Sequence, residues 1–330
     1  MDIHAKTMGQ LYIQIMQDCM ALPLKKQFSM RLVKPDTWVI IPYSPSGLET
    51  PKPHLLIGEK YALLIDPTDT PFQLRDYIRQ YITDKPLLVA NTHSHRDHTY
   101  ANCLFDDCTI FMSEICQQEL RESRANPQHR EKDVALGRTK SSQNEGTVVH
   151  PGDIIDLGNR KIQVVGNFTP CHAPSSLMYL DLTMGILFTG DEIDPGQINI
   201  WNQPVETFRQ NILNLIALRD QFDMICAPHN GTPMHAKCLD YYLENCDRIM
   251  SGIEGDLDVG SMSYLLNPFE GRSPETIEAR RWDPVTRRSE WMGTAINYNV
   301  DLVFNAQLLQ PHRIASPHPK TNKPQKEETV

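Results

Sequence analysis

The chain has 330 residues, enough to bury a large core in one big domain or two smaller ones. It is 40% hydrophobic and 22% charged, with a formal net charge of −9 from 32 basic and 41 acidic residues. That balance argues against polynucleotide substrates, which need clustered Lys and Arg, although a local basic groove escapes such a count. No apolar run approaches the length of a bilayer span, and Met1–Lys6 carries none of the marks of a signal peptide. Eight scattered cysteines without a CxxC pair fit reduced thiols and a cytoplasmic setting.

Along the chain, residues 1–30 give little pattern beyond a short helix around Met8–Met20. Thr37–Ile41, Leu55–Gly58 and Tyr61–Asp66 read as strands, the last two joined by a turn at Glu59-Lys60. Leu74, Ile78 and Tyr81 fall at helical spacing within Phe72–Ile82. Leu87–Ala90 is a buried strand and Thr109–Met112 another, and Ser113 is the N-cap of a helix through Arg121. Residues 122–150 are polar and read as a helical excursion with loops. The pattern then returns to β: Ile154–Leu157 and Ile162–Val165 flank a Gly158-Asn159 turn, and Leu177–Leu180 and Gly185–Phe188 form a second hairpin. Phe208, Ile212, Leu215 and Ile216 mark an amphipathic helix, and Met224–Ala227 a strand leading to Pro228-His229. His235 is expected to start a helix. The order is strands with single helices between them, in two halves, as in sheets packed face to face with helices outside. Residues 252–310 hold Trp282, Trp291 and the alternating run Ala295–Tyr298, read as a C-terminal core, and 311–330 read as a disordered tail.

The chemistry concentrates in Thr92-His93-Ser94-His95-Arg96-Asp97-His98, at the exit of the strand Leu87–Ala90. Residues two apart in an extended chain project to one side, roughly 7 Å apart at about 3.3 Å per residue. His93 and His95 can therefore converge on one ion, while Asp97 and His98 can face a second as the backbone turns. Imidazole suits zinc, iron and similar ions, and carboxylate adds a hard oxygen. Three later residues sit in turns after apolar strands: His172 in Thr169–Pro174, Asp191 in Phe188–Asp191 and His229 in Ala227–Gly231. Each is weak alone; together they form a set.

On these residues, over residues 35–250, the chain resembles the metallo-β-lactamase-fold hydrolases. His93, His95, Asp97 and His98 match that family's HxHxDH motif, and His172, Asp191 and His229 match its later ligand positions. The resemblance implies an α+β, four-layer αββα sandwich with the site at one edge. It implies a first metal on His93, His95 and His172, a second on Asp97, His98 and His229, and Asp191 bridging both. It also divides the chain into a catalytic domain over 1–250 with a lead-in at 1–34, an extension over 251–310 that shapes the pocket, and the tail. Asp191 stands where many metallo-β-lactamases carry Cys, which is similar to glyoxalase II, the acyl-homoserine lactonases and ribonuclease Z. Cys171 replaces the glycine usual before the third histidine.

The expected function is thus a dinuclear hydrolase with two Zn2+ per chain, iron or manganese being the alternatives. A water shared by two metals has its pKa lowered from about 15.7 toward 7, and the resulting hydroxide attacks an ester, thioester or lactone carbonyl. Asp97 binds metal and orients that water. A phosphodiesterase of the same fold and, in another class, a mononuclear iron redox or metal-binding protein stay open, while Asp191 disfavours a β-lactamase. Asn199, Trp201, Cys171 and His235 are candidate pocket residues, with core packing the competing reading for Trp201 and a small buried side chain for Cys171. Partners are a small-molecule substrate, no nucleic acid and no membrane; a homodimer stays open.

Overall fold

A computed structural model describes residues 14, 17–18, 21–43, 50–69, 73–127, 141–194, 198–229, 233–252, 286–291 and 294–304. Met8–Met20, residues 128–140, Trp282, the Trp291 side chain and the tail 311–330 therefore lie largely or wholly outside the described residues.

The first half opens with a four-residue helix α1 (Leu24–Gln27) and the hairpin β1 (Phe28–Lys34) and β2 (Thr37–Pro42). Then follow β3 (His54–Ile57), β4 (Ala62–Ile65), α2 (Leu74–Tyr81), β5 (Leu87–Ala90), α3 (Arg96–Thr99), β6 (Thr109–Met112), α4 (Glu114–Ala125) and β7 (Thr147–Val148). Among the described residues these strands make one sheet in chain order, antiparallel from β1 to β4 and parallel from β4 to β7. The second half contains β8 (Ile154–Asp156), β9 (Lys161–Val164), β10 (Tyr179–Asp181), β11 (Ile186–Phe188), β12 (Ile198–Ile200), α5 (Val205–Ile216), β13 (Met224–Cys226), β14 (Met234–His235) and α6 (Cys238–Met250). Its sheet runs β14-β13-β11-β10-β9-β8. Finally β15 (Thr286–Trp291) and β16 (Thr294–Asn299) join β12 in a small third sheet.

Alternation along the strands explains the layering, because successive side chains leave opposite faces. In β4, Ala62 and Leu64 pack outward with Leu74, Tyr77 and Ile78 of α2, whereas Leu63 and Ile65 point inward. In the second sheet, Ile186 and Phe188 of β11 meet Leu63 and Ile65 between the sheets, and Leu187 faces Phe208 and Ile212 of α5 on the outside. The central strands of the two large sheets are apolar and covered on both faces, so the fold is α+β with four layers, helix–sheet–sheet–helix.

Some features differ from the sequence expectations or extend them. β1 falls where no element was expected; its outward Met30 and Leu32 are 38% and 51% exposed, so its hydrophobicity does not mark burial. The amphipathic helix marked by Phe208, Ile212, Leu215 and Ile216 runs over Val205–Ile216, directly after Pro204. His235 does not start a helix: Met234 and His235 pair antiparallel with Ile225 and Met224, and the helix begins at Cys238. In the region beyond 251, β16 pairs in parallel with β12 and sends Ile296 and Tyr298 into the core beside α5 and α6. No described helix is long and apolar enough to cross a membrane, and no disulfide joins the described cysteines.

Candidate metal centre

The parallel strands β4 and β5 and, in the second sheet, β11 and β13 all end at one edge of the sandwich. Polar residues that follow such strand ends converge there. Asp66 follows β4, the run from Thr92 to His98 follows β5, His172 lies on the β9–β10 connection, Asp191 follows β11 and His229 follows β13.

The structure brings all seven expected side chains into one cluster. Donor atoms lie within 4.8 Å of one another in three overlapping groups: His93, His95 and His172; His93, His98 and Asp191; Asp97, His98 and His229. His172 Nε2 is 3.1 Å from His95 Nδ1, and His98 Nε2 is 3.2 Å from His229 Nε2. Asp191 lies 3.4 Å from each of His98, His172 and His229. Asp97 Oδ2 is 3.3 Å from His229 and 3.5 Å from His98.

Local hydrogen bonds set which ring nitrogens face the centre. Thr92 Oγ1 donates its single proton to Asp66 Oδ2 at 2.7 Å, so it accepts from His93 Nδ1 at 3.0 Å. His93 Nε2 is then a lone pair, and it is buried without a hydrogen-bond partner. His98 Nδ1 donates to the same Asp66 carboxylate at 3.0 Å, which turns its Nε2 toward the cluster. Asp66 is buried and left-handed at φ 50°, and its Oδ1 also accepts from Thr92 N–H at 2.8 Å. His172 Nδ1 and Asp191 Oδ1 are likewise buried without hydrogen-bond partners.

Electrostatics divide the cluster. Burial, then His98, holds His93 well below the ordinary imidazole range, and burial lowers His172 to about 4, so both rings stay neutral. Burial works against protonating His98, but Asp191, then Asp97 and Asp66, carry it well above its usual value. Asp191 and Asp97 do the same to His229. Burial opposes charge on the two carboxylates, yet His98 and His229 hold Asp97 low, and His229, His98 and His172 hold Asp191 well below the usual range.

Further residues clamp the loops. Gly190 sits at φ +53°, and a Cβ there would stand 2.6 Å from Thr92 Oγ1, so the loops carrying Asp191 and His93 touch only because a side chain is missing. Ser175 Oγ accepts from Ser94 N–H at 3.2 Å, and Leu177 N–H donates to Thr92 O at 2.7 Å. Buried Glu192 accepts from the N–H groups of Cys171 and His172; burial pushes its carboxyl above the ordinary range against these donors. His229 N–H donates to Asp194 Oδ2 at 3.2 Å, and Lys52 Nζ donates to His229 O. Asp66 was not among the expected site residues, although it carries the same signal as the ligand set, a carboxylate at the end of an apolar strand. Glu192 and Gly190 carry no sequence signal beyond adjacency to Asp191.

The expected pocket residues are placed differently from one another. Cys171 is buried in the core under α5, its thiol donates to Thr169 O at 3.3 Å, and burial pushes its pKa up, so the thiolate is suppressed. His235 is exposed on β14, its Nδ1 accepting from Lys237 N–H at 3.0 Å. Asn199 on β12 accepts from Asn297 of β16 at 2.7 Å, and Trp201, just beyond, is 37% exposed. His54 is buried against Phe188, its pKa lowered to about 3 by burial and Lys52, which makes it a neutral core residue.

The family model described as metallo-beta-lactamase superfamily matches residues 54–222, more than half of the chain. Among solved structures, a metallo-beta-lactamase from Pontibacter korlensis superposes with a TM-score of 0.52 at 15% identity, over 67% of this chain and 99% of that one. A metallo-beta-lactamase family protein from Thermus thermophilus gives 0.54 at 16% identity, over 81% of this chain and 100% of that one. No curated protein matches the chain.

Proposed function

The chain belongs to the metallo-beta-lactamase superfamily, and from that premise we propose that it is a metal-dependent hydrolase that cleaves an ester, thioester or lactone. The observation that carries this reading is the overlap of three donor groups through His93 and His98, which suits two neighbouring cations. His93, His95 and His172 would hold one ion, Asp97, His98 and His229 the other, with Asp191 between them.

The residues present fit such ions. Two donors on one tetrahedral Zn2+, each at about 2.0–2.1 Å, stand roughly 3.3 Å apart. The imidazole pairs at 3.1 and 3.2 Å and the carboxylate–imidazole pairs at 3.3–3.5 Å bracket that value. The buried, unpartnered His93 Nε2 and Asp191 Oδ1 are the atoms a cation would satisfy. The mixed nitrogen and oxygen set favours zinc, with iron or manganese compatible.

Bound there, a pair of divalent ions supplies Lewis acidity toward a carbonyl oxygen and lowers the pKa of water toward about 7. The protein's own residues orient the donors and handle protons. Asp66 and Thr92 fix the tautomers of His98 and His93. The Asp97 side chain is 38% exposed against 15% for Asp191, so it is the cluster carboxylate best placed to orient a solvent molecule. The Asp at position 191, where many metallo-β-lactamases carry Cys, weighs against a β-lactam substrate and fits an ester, thioester or lactone, with a phosphodiester the second class. The net charge supports a small substrate over a polynucleotide. A cytoplasmic setting fits the absence of disulfides among the described residues.

The test is metal analysis joined to a panel of lactones, thioesters, carboxyl esters, bis(4-nitrophenyl) phosphate and nitrocefin. About two metals per chain, with ester or lactone cleavage lost on chelation and restored by metal, is expected. Faster cleavage of the phosphodiester would move the substrate class. Full activity of His93→Ala in chelator would overturn the reading.

A further inference from the structure

Glu192 directly follows Asp191 and is 2% exposed. Its carboxylate reaches the loop that carries His172. Oε1 and Oε2 accept from Cys171 N–H at 3.2 and 3.0 Å, and Oε1 accepts from His172 N–H at 3.1 Å. Ala173 N–H and the Ser176 hydroxyl complete its shell. Three consecutive backbone N–H groups converging on one anion make a nest, a geometry that elsewhere binds free anions; here the chain's own carboxylate fills it. No Lys or Arg is among these partners. A buried carboxylate neutralised only by dipoles is expensive to keep for packing alone. The same loop is tied at its far end to Thr92 through Leu177 N–H and to Ser94 through Ser175.

We propose that Glu192 is a positioning residue: it ties the His172 loop to the backbone of Asp191 and so holds His172 Nε2 and Asp191 Oδ2 3.4 Å apart, facing one cation. This rests on the metal reading above. Asp191 and His172 are 19 positions apart, and Glu192 is the side chain that couples their main chains. Its loss lets the His172 loop relax away while the other donors keep their own supports.

The experiment loads wild type and Glu192→Gln with Co2+, reads the visible absorption bands, and measures affinity by competition with a chelator. Glutamine keeps the size but loses the charge and one acceptor. The expected result is a weakening of one of the two Co2+ equivalents by about 10–100-fold. A changed band pattern for that equivalent and a kcat that falls more than KM rises are expected with it. Should Glu192→Gln fail to fold, Ser176→Ala removes one donor and should show the same changes on a smaller scale. A variant with wild-type bands and affinity overturns the role of Glu192 alone. A wild-type protein that takes up no Co2+ overturns the metal reading, and this inference with it.

Discussion

At one end of the sandwich Arg160 is buried to 1% exposure, and the chain answers its charge in full. Its guanidinium forks onto Asp181, with Nε 2.7 Å from Oδ2, and donates to Asp36 O at 2.8 Å and Thr37 Oγ1 at 2.6 Å. Asp181 Oδ1 is taken by the N–H groups of Thr183 and Met184. At the opposite end Asp66, Asp97 and Asp191 face imidazoles, and His93 Nε2 and Asp191 Oδ1 stay without hydrogen-bond partners. Both ends bury charge between the same two sheets. One is closed by a guanidinium that meets every acceptor around it; the other keeps buried donor atoms that no protein group satisfies and that are able to hold a metal ion. A self-sufficient ion pair stabilises the fold, whereas an incomplete one is a place to bind and react.

The largest expected effect lies at the open end. His93→Ala, or chelation, should lower hydrolysis by several orders of magnitude, since the acidified water is lost; steady-state rates on the best substrate of the panel check this. Little change would erase the contrast. At the closed end, Arg160→Ala should leave Asp181 buried and unpaired and cost about 3–5 kcal/mol in chemical denaturation. Arg160→Met with Asp181→Leu should recover much of that loss. If it does not, the pair does more than balance itself.

Asp66 tests whether the open end has support of its own. Asp66→Asn should weaken metal affinity by about 10–100-fold, or 1.4–2.7 kcal/mol, as measured by chelator competition. Arg75 and Asp107 give the exposed counterpart of the Arg160 pair, joined at 2.8 Å with the Asp107 side chain 66% exposed. Hydrogen bonding to Arg75 lowers the Asp107 carboxyl from 3.8 to about 2. A depressed folded pKa adds stability above the unfolded value, so the contribution is present above about pH 4 and fades toward pH 2. Solvent screening keeps it below about 1 kcal/mol. Asp107→Asn should therefore flatten the acid limb of a stability–pH curve only slightly.

The layering and the seven clustered side chains were legible because they obey short-range rules. Leu87–Ala90 is a run too apolar for anything but a two-sided buried strand, and the histidines follow it at once. Ser113 caps its helix by accepting from Cys116 N–H, as a helix start demands. What stayed hidden depends on partners distant in sequence. β1 is an edge strand whose Met30 and Leu32 face outward, so alternation there reports no core. The strand at His235 is made by β13, and nothing in Met234-His235 itself opposes a helix start. Glu192 reads as any acidic turn residue until the fold brings three backbone N–H groups to it.

The pairing of β12 with β16 has a consequence in time. Ile198 pairs with Ile296, whereas the last of the seven clustered residues is His229. A ribosome adding about 5–20 residues per second needs roughly 4–14 s to pass from His229 to Asn299. Through that interval the nascent polypeptide already carries every donor but not the strand that locks β12, which begins seven residues beyond Asp191. Until β16 is made, β12 has no described strand to pair with, so a chain stalled in that window would leave this edge uncovered.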